Sequence, residues 1–232
     1  LMGSWGRQGG FFLPSGVTVP KYPAPAYPKP AKAANDGSGT TYPLADEVLA
    51  SGLCDATISA TPYQAKAWLV YGTNLIQSLP NPRKTIEAIQ KLDFIAVVDV
   101  LPVEITGYAD VVFPEATFLE RTDDLYAGAL RTPFVAIRQQ AVAPMYDSKP
   151  GWWIARELGI RLGLEAYFPW KNIDEYLAAR LKAGEIDIAG IRKAGVVNFP
   201  GDGGLIAADH KFDTPSGKID FWSQTLADLG MD

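Results

Sequence analysis

The sequence predicts an α/β fold with a mainly parallel sheet flanked by helices, preceded by an extended segment rich in proline and glycine. Short, continuous apolar runs at 67–71, 94–98 and 111–113 have the composition of buried parallel strands. A helix pattern lies between the first two runs, which gives a βαβ unit with a right-handed crossover. The chain has 232 residues, 47% of them hydrophobic, so it is long enough to bury a core.

The chain from residue 1 to about 45 is predicted to be extended. Closely spaced prolines disfavour helix and central strand here: Pro20, Pro23, Pro25, Pro28 and Pro30. Such a segment either wraps a neighbouring part of the protein or serves as a solvated linker. Composition leaves both interpretations open.

The βαβ unit follows with clear start and stop signals. Strand 67–71 ends at the loop Gly72-Thr73-Asn74, and Pro82 marks the first turn of a helix that continues to about Leu92. Strand 94–98 ends at Asp99. A short helical turn from Glu104 to Ala109 then precedes the third parallel strand.

Two further helices and a turn are predicted in the second half. Helix 150–164 has Trp153, Leu158 and Leu162 available for one face, and helix 172–183 opens on Asn172 as its N-cap. Thr214-Pro215-Ser216-Gly217 is predicted to be a turn before a last strand over residues 218–222.

Composition excludes several functions. A net charge of -5 without clusters of lysine or arginine argues against nucleic acid and anionic membranes as partners. One cysteine and one histidine cannot build a disulfide, a Cys-His zinc cluster or an iron-sulfur cluster within this chain. We therefore predict neither a metal ligand nor a catalytic residue here. Cys54, beside Asp55, is expected to be a buried and unreactive thiol, and His210 an exposed loop residue.

The candidate ligand site follows from the topology, because open parallel sheets bind ligands beyond the carboxyl ends of their strands. Gly72 permits close backbone approach, while Thr73 and Asn74 have side chains that donate hydrogen bonds to a phosphate. Asp99 is placed to accept from ribose hydroxyls, and Asp110 to accept from the N–H edge of a guanine. We expect both aspartates at the carboxyl edge, near the loop. By spacing alone, each aspartate is equally a cap or turn former.

Several segments resemble the dimethyl-sulfoxide-reductase family of molybdenum enzymes. The clearest is DVLPVEITGYADVVFPEATFLER at 99–121, which is similar to that family's strand-end aspartate, Glu-Thr turn, "ADVVLP" strand and Glu-Arg pair. The other three segments are GSWGRQGG at 3–10, GTN at 72–74 and TPSGKI at 214–219. All four occur in the family's order.

The resemblance implies that the chain is an internal part of a longer catalytic subunit, centred on its Rossmann-like third domain. Residues 1–60 would be an extended Pro/Gly-rich segment that borders the preceding domain, 61–213 would bind molybdopterin guanine dinucleotide, and 214–232 would begin the link to a C-terminal cap domain. The implied cofactor is molybdenum bis(molybdopterin guanine dinucleotide), with an iron-sulfur cluster elsewhere in the intact subunit.

The resemblance assigns one guanosine diphosphate arm of that cofactor to a defined set of residues. Thr106 belongs to this set because Ile105 stands where the family usually has threonine. Three glycines of the N-terminal segment would line the pterin side, namely Gly6, Gly9 and Gly10. The residues expected to bind the arm are Gly72, Thr73, Asn74, Asp99, Thr106 and Asp110.

The Pro-rich segment and the sequence LERTDD at 119–124 are most similar to polysulfide and thiosulfate reductases. This implies reduction of a sulfur compound in anaerobic respiration, an iron-sulfur electron-transfer subunit and a membrane anchor subunit as partners, and a periplasmic or cell-envelope location. The chain itself contains no targeting signal. The alternative is a non-catalytic α/β nucleotide-binding or structural module. On either hypothesis, the isolated chain is expected to be inactive.

Overall fold

Three parallel strands form the central sheet, and all three were predicted. They are β1 (Ala67–Tyr71), β2 (Phe94–Asp99) and β3 (Val111–Pro114), in the spatial order β1-β2-β3. The register pairs Val70 with Val97 and Val97 with Val112. The mainly parallel α/β sheet predicted from the apolar runs is therefore confirmed.

The computed structural model describes residues 3–13, 16–27, 36–39, 42–45, 49–183, 187–201, 203–206 and 210–231. Contacts divide the chain into two units. The smaller comprises Leu1–Thr18, Tyr126–Ala136 and Val196–Asp232, and the larger comprises Val19–Leu125 and Ile137–Gly195. This division by contacts differs from the functional division at 1–60, 61–213 and 214–232, which stays a prediction.

Helices cover one face of the parallel sheet. They are α1 (Ala50–Ser59), α2 (Leu75–Ser78), α3 (Pro82–Ile89) and a 3-10 helix at Glu104–Tyr108. Asn81 caps α3 by accepting from the Lys84 amide at 3.2 Å, and Pro82 occupies the first turn as predicted. The core below them contains Trp68, Val70, Cys54, Ala88, Ile89, Ile95, Val97 and Ile105.

Helix α1 corrects one prediction, because residues 50–59 had been included in the extended segment 1–60. Its sequence ASGLCDATIS contains mostly small residues and has little helical periodicity, so the pattern gave no signal. The helix packs closely against the segment that precedes it, at Asp36. A Cβ on Gly52 would overlap the carbonyl oxygen of Asp36.

The Pro-rich segment wraps part of the larger unit. Over residues 19–27 it contains neither helix nor strand. Tyr22 stacks on Tyr176 with ring centroids 5.2 Å apart, and Arg180 Nε donates to the Pro20 carbonyl at 2.8 Å. Of the two interpretations, wrapping is the one observed. Pro28 and Pro30 lie outside the described residues.

The remaining helices of the larger unit are α4 (Gly151–Arg161), a 3-10 helix at Glu165–Tyr167, α5 (Ile173–Ala183) and α6 (Ile188–Ala194). Asn172 caps α5 by accepting from the Glu175 amide at 2.9 Å, as predicted.

The predicted buried face of α4 is wrong. Trp153 is 37% exposed and Leu162, which follows the end of the helix, is 73% exposed. The helix instead buries Ile154 together with two glycines, Gly151 and Gly159. Side chains from elsewhere occupy the space that these glycines leave: a Cβ on Gly159 would overlap the ring of Phe168.

The smaller unit contains an antiparallel sheet of β4 (Tyr126–Gly128), β5 (Phe134–Ala136) and β6 (Val196–Asn198), and a helix α7 (Gln224–Asp228). The turn at 214–217 is present: the Gly217 amide donates to the Thr214 carbonyl at 3.0 Å, and Gly217 has φ +68°. The strand expected at 218–222 is not formed. Phe221 there is 92% exposed, and no described segment pairs with these residues in a ladder.

Among the residues that the structure describes, no helix has both the length and the apolarity needed to cross a bilayer.

Candidate functional site

The carboxyl edge of the parallel sheet carries the Gly72-Thr73-Asn74 loop, as predicted. Gly72 extends the β1–β2 ladder by donating its amide to the Val98 carbonyl at 2.9 Å, and its φ of +60° favours glycine. No described atom lies within 4 Å of a Cβ built on Gly72. The loop therefore leaves open space beside its backbone, next to the end of β2.

Asp99 ends β2 with its carboxylate held in a fixed orientation. Its Oδ1 accepts from the amides of Val100 at 2.7 Å and Leu101 at 3.2 Å. Its Oδ2 makes no hydrogen bond to the residues that the structure describes. Asp99 is therefore a turn former through one oxygen and has a free acceptor in the other.

A pocket of about 290 Å³ adjoins this carboxylate. Thr106 lines it together with Asp99, and the Thr106 hydroxyl donates to the Val103 carbonyl at 2.6 Å. The threonine oxygen consequently faces ligands as an acceptor more readily than as a donor. The full lining is Asp99, Val100, Leu101, Pro102, Thr106, Val112 and Pro114.

Glu104 connects this pocket region to the Gly72-Thr73-Asn74 loop, a role that was not predicted. One carboxylate oxygen accepts from the side-chain amide of Asn74 and the other from that of Gln77. The Glu104 backbone N–H and these two amides lower the pKa of the Glu104 carboxyl from its ordinary value. Glu104 is therefore negatively charged near neutral pH. Asn74 Oδ1 is buried and accepts no hydrogen bond from the described residues.

Asp110 does not lie at this edge, so its predicted placement is wrong. Its Oδ2 accepts from the Ile95 amide at 2.8 Å, and its own amide donates to the Ile95 carbonyl at 2.9 Å. Ile95 is near the start of β2, and Asp110 immediately precedes β3. A residue that precedes a parallel strand lies at the amino edge, opposite to Asp99. Asp110 thus connects two strand starts.

A second polar cluster lies at the carboxyl edge on the opposite face of the sheet. Tyr71 donates its hydroxyl to Glu115, whose carboxylate is buried and pairs with Arg121 at 2.6 Å. Arg121 also pairs with Asp123 at 2.6 Å and donates to the Ala116 carbonyl at 2.7 Å. Partial burial and the Glu115 carboxylate raise the pKa of Tyr71 to about 12. The partners in this cluster bond to one another, so it serves as a structural brace.

Two further side chains, Cys54 and His210, lie in the surroundings that the sequence predicted for them. Cys54 is 2% exposed, and burial raises the pKa of its thiol, as expected for an unreactive cysteine. His210 is exposed and contacts the ring of Phe212. In the described part of the chain, no group of three or more His, Cys, Asp or Glu residues is arranged to hold a metal ion.

The N-terminal glycines are explained in part by packing within the smaller unit. A Cβ on Gly6 would overlap Ile206, and one on Gly10 would overlap the Ser4 carbonyl. Gly9, with φ +82°, has open space around it. Their expected contact with a pterin stays a prediction.

Comparison with known proteins gives a consistent result. The family model described as molybdopterin oxidoreductase matches residues 31–161. The thiosulfate reductase molybdopterin-containing subunit PhsA of Salmonella typhimurium is 28% identical over 215 residues, which cover 81% of this chain and 28% of PhsA. The dimethyl sulfoxide reductase DmsA of Escherichia coli is 29% identical over 182 residues, covering 70% of this chain and 22% of DmsA.

The fold is also similar to that of a solved structure. Acetylene hydratase from Pelobacter acetylenicus superposes with a TM-score of 0.66 and 25% identity, over 85% of this chain and 28% of that chain. The chain thus spans 28% of the length of PhsA and of this hydratase. The family match covers more than half of the chain and includes the whole parallel sheet with its carboxyl edge. The chain therefore belongs to the molybdopterin oxidoreductase family.

Proposed function

We propose that this chain binds a guanosine arm of molybdenum bis(molybdopterin guanine dinucleotide) in the catalytic subunit of an oxidoreductase. The observation that carries the proposal is the free Oδ2 of Asp99, held at the carboxyl edge beside the open Gly72 backbone. Ligands of open parallel sheets bind at this edge. Gly72, Thr73, Asn74, Asp99 and Thr106 make up the proposed site, and Asp110 is left out because it lies at the other edge.

The residues at this edge fit the chemistry of a guanosine. Its ribose hydroxyls and its base N–H groups are donors, and Asp99 and Thr106, which line one pocket, both have acceptor oxygens. The absence of a side chain on Gly72 leaves room for a ligand to approach the backbone. The role of these residues is to bind and orient the arm.

The bound cofactor supplies oxygen- or sulfur-atom transfer at its molybdenum. The one cysteine of this chain is buried and offers no thiolate to a metal or cluster. On this proposal, the protein ligand to that metal and the cysteines of an iron-sulfur cluster belong to other parts of the catalytic subunit. Family membership argues against the alternative of a module with no enzymatic role.

For the substrate, we propose polysulfide or thiosulfate, reduced in anaerobic respiration. The similarity to PhsA, which covers 81% of this chain, supports a sulfur compound. PhsA is one subunit of a thiosulfate reductase, which supports partner subunits here as well. Those partners would be an iron-sulfur electron-transfer subunit and a membrane anchor, on the periplasmic or cell-envelope side.

Turnover assays test this proposal. The complete catalytic subunit, with cofactor and a reduced dye as electron donor, is expected to reduce polysulfide or thiosulfate. The 232-residue chain alone is expected to give no turnover even when cofactor is supplied, because it has no candidate molybdenum ligand. Turnover by the isolated chain, or failure of the complete subunit on both substrates, would refute the proposal.

A further inference from the structure

A pocket of about 330 Å³ lies beside the brace of Tyr71, Glu115 and Arg121, within the larger unit. It shares no lining residue with the pocket at Asp99. Its aromatic wall comes from α4, α5 and the segment between them, and consists of Trp152, Phe168, Trp170 and Tyr176. The pocket is therefore separate from the proposed guanosine site.

Glu115 lines this pocket with one acceptor oxygen unused. The residue is 7% exposed, and its Oε1 accepts from the Tyr71 hydroxyl and pairs with Arg121. The start of α4 lies against the same oxygen, because a Cβ on Gly151 would overlap Oε1. Oε2 makes no hydrogen bond to the residues that the structure describes. A buried carboxylate oxygen without a donor is costly, so a ligand with a donor group would stabilise it.

The lining of the pocket is negatively charged. Three carboxylates line it, those of Glu115, Asp123 and Asp124, and the lining includes no lysine, arginine or histidine. The partners of these carboxylates are arginines, and none of the three lines the pocket: Arg121, Arg138 and Arg180. A ligand in the pocket therefore contacts the carboxylates and not the arginines. Such a lining attracts cations and repels anions.

The aromatic rings favour an organic cation over a metal ion. They form one cluster around Trp170, whose ring centroid lies 5.9 Å from that of Trp152, 6.1 Å from that of Phe168 and 5.3 Å from that of Tyr176. Aromatic faces attract ammonium groups, and their apolar surface covers alkyl chains. Ca²⁺ would need about six to eight oxygen ligands, whereas most of the lining side chains are aromatic or aliphatic.

We propose that this pocket binds a small protonated amine, whose ammonium group donates to Glu115 Oε2 and whose alkyl part lies against the rings around Trp170. The ligand and the pocket both differ from those of the guanosine site. Either proposal can therefore fail without the other.

Calorimetric titration of the chain with n-butylammonium tests the proposal. The controls are n-butanol and butyrate, which have the same alkyl length with a neutral and a negative end group. Butylammonium should bind roughly tenfold more tightly than butanol, because only the cation gains from the carboxylates and the ring faces. Butyrate should bind more weakly than butanol, because the carboxylates repel it.

Two variants locate the binding in this pocket. Ala155 is an exposed residue of α4 that lines the pocket, so Ala155→Leu fills the space and should weaken butylammonium at least roughly tenfold. Ala178→Leu is the matched control on α5, at an exposed position outside this pocket, and should leave the affinity unchanged.

Glu115→Gln tests the charge. Glutamine keeps an acceptor for Tyr71 but removes the negative charge beside the ammonium group. The preference for butylammonium over butanol should fall roughly tenfold, while the affinity for butanol stays the same. If this variant does not fold, Ala155→Leu still decides whether the pocket is the site.

Two results in the chain would overturn the proposal: equal affinities for butylammonium and butanol, or butylammonium binding that Ala155→Leu does not weaken. The complete catalytic subunit provides a third test, in which butylammonium should bind as it does to the chain. Loss of binding there would also overturn the proposal, because another part of the subunit would then fill the pocket.

Discussion

Replacing Asp99→Ala is expected to lower the cofactor content of the complete enzyme. The free Oδ2 is the acceptor proposed for the guanosine arm, and leaving ligand donors unpaired costs about 1–3 kcal/mol of binding. This corresponds to a weakening of roughly fivefold to 150-fold. The measurement is molybdenum and released GMP per mole of purified enzyme, after dilution long enough for exchange.

Two matched variants separate ligand binding from turn formation. Asp99→Asn keeps an oxygen for the amides of Val100 and Leu101 but replaces the free acceptor, so it should also lose cofactor. Asp93→Ala removes an exposed carboxylate near the amino end of β2 and should have no effect. Normal GMP content in both Asp99 variants would show that Asp99 forms the turn and does not bind the guanosine arm.

Asp110 provides the contrast at the opposite edge. Asp110→Ala should lower the free energy of unfolding, because the Ile95 amide loses its bond to Oδ2. It should not lower GMP content in enzyme that remains folded.

Replacing Glu115→Ala is expected to have the largest effect on stability, about 3 kcal/mol. Glu115 is 7% exposed, and its removal leaves Arg121 and the Tyr71 hydroxyl without their shared partner. Removing one member of a buried pair costs more than the pair contributes, because the remaining charge stays desolvated. The loss in the free energy of unfolding should lie at the lower end of the range for broken buried ion pairs, because Arg121 keeps its bonds to Asp123 and to the Ala116 carbonyl.

Urea denaturation of the chain measures this loss. Glu115→Gln, which still accepts from Tyr71 and Arg121, should lie between the wild type and Glu115→Ala. Arg161→Ala breaks the surface ion pair with Glu157 and should cost about 0.5 kcal/mol or less. A Glu115→Ala loss as small as that control would show that the brace contributes little.

The strands were predictable because their apolar runs are continuous and bounded by glycine, proline or aspartate. Two elements were not predicted, for local reasons: α1 is rich in small residues and has little helical periodicity in its sequence, and α2 is only one turn long. The face of α4 depends on Phe168 and Tyr71, which lie outside the helix and fill the space at its glycines. Periodicity within one helix cannot reveal such partners.

The site was predictable where it depends on topology alone. Gly72 and Asp99 follow parallel strands, so their common edge could be inferred. Asp110 was placed wrongly although the same rule applies, because a residue that precedes a parallel strand belongs to the other edge. The link between Glu104 and Asn74 joins residues 30 positions apart. Only the packing of α2 against the 3-10 helix brings these two residues together, so the sequence alone could not predict the link.

The location of the guanosine arm in the complete, cofactor-loaded enzyme tests the central claim most directly. A crystal or cryo-electron-microscopy structure should show the ribose or the guanine of one arm within hydrogen-bonding distance of Asp99 Oδ2, beside Gly72. An arm at the amino edge near Asp110, or a guanosine bound wholly outside this domain, would contradict the account.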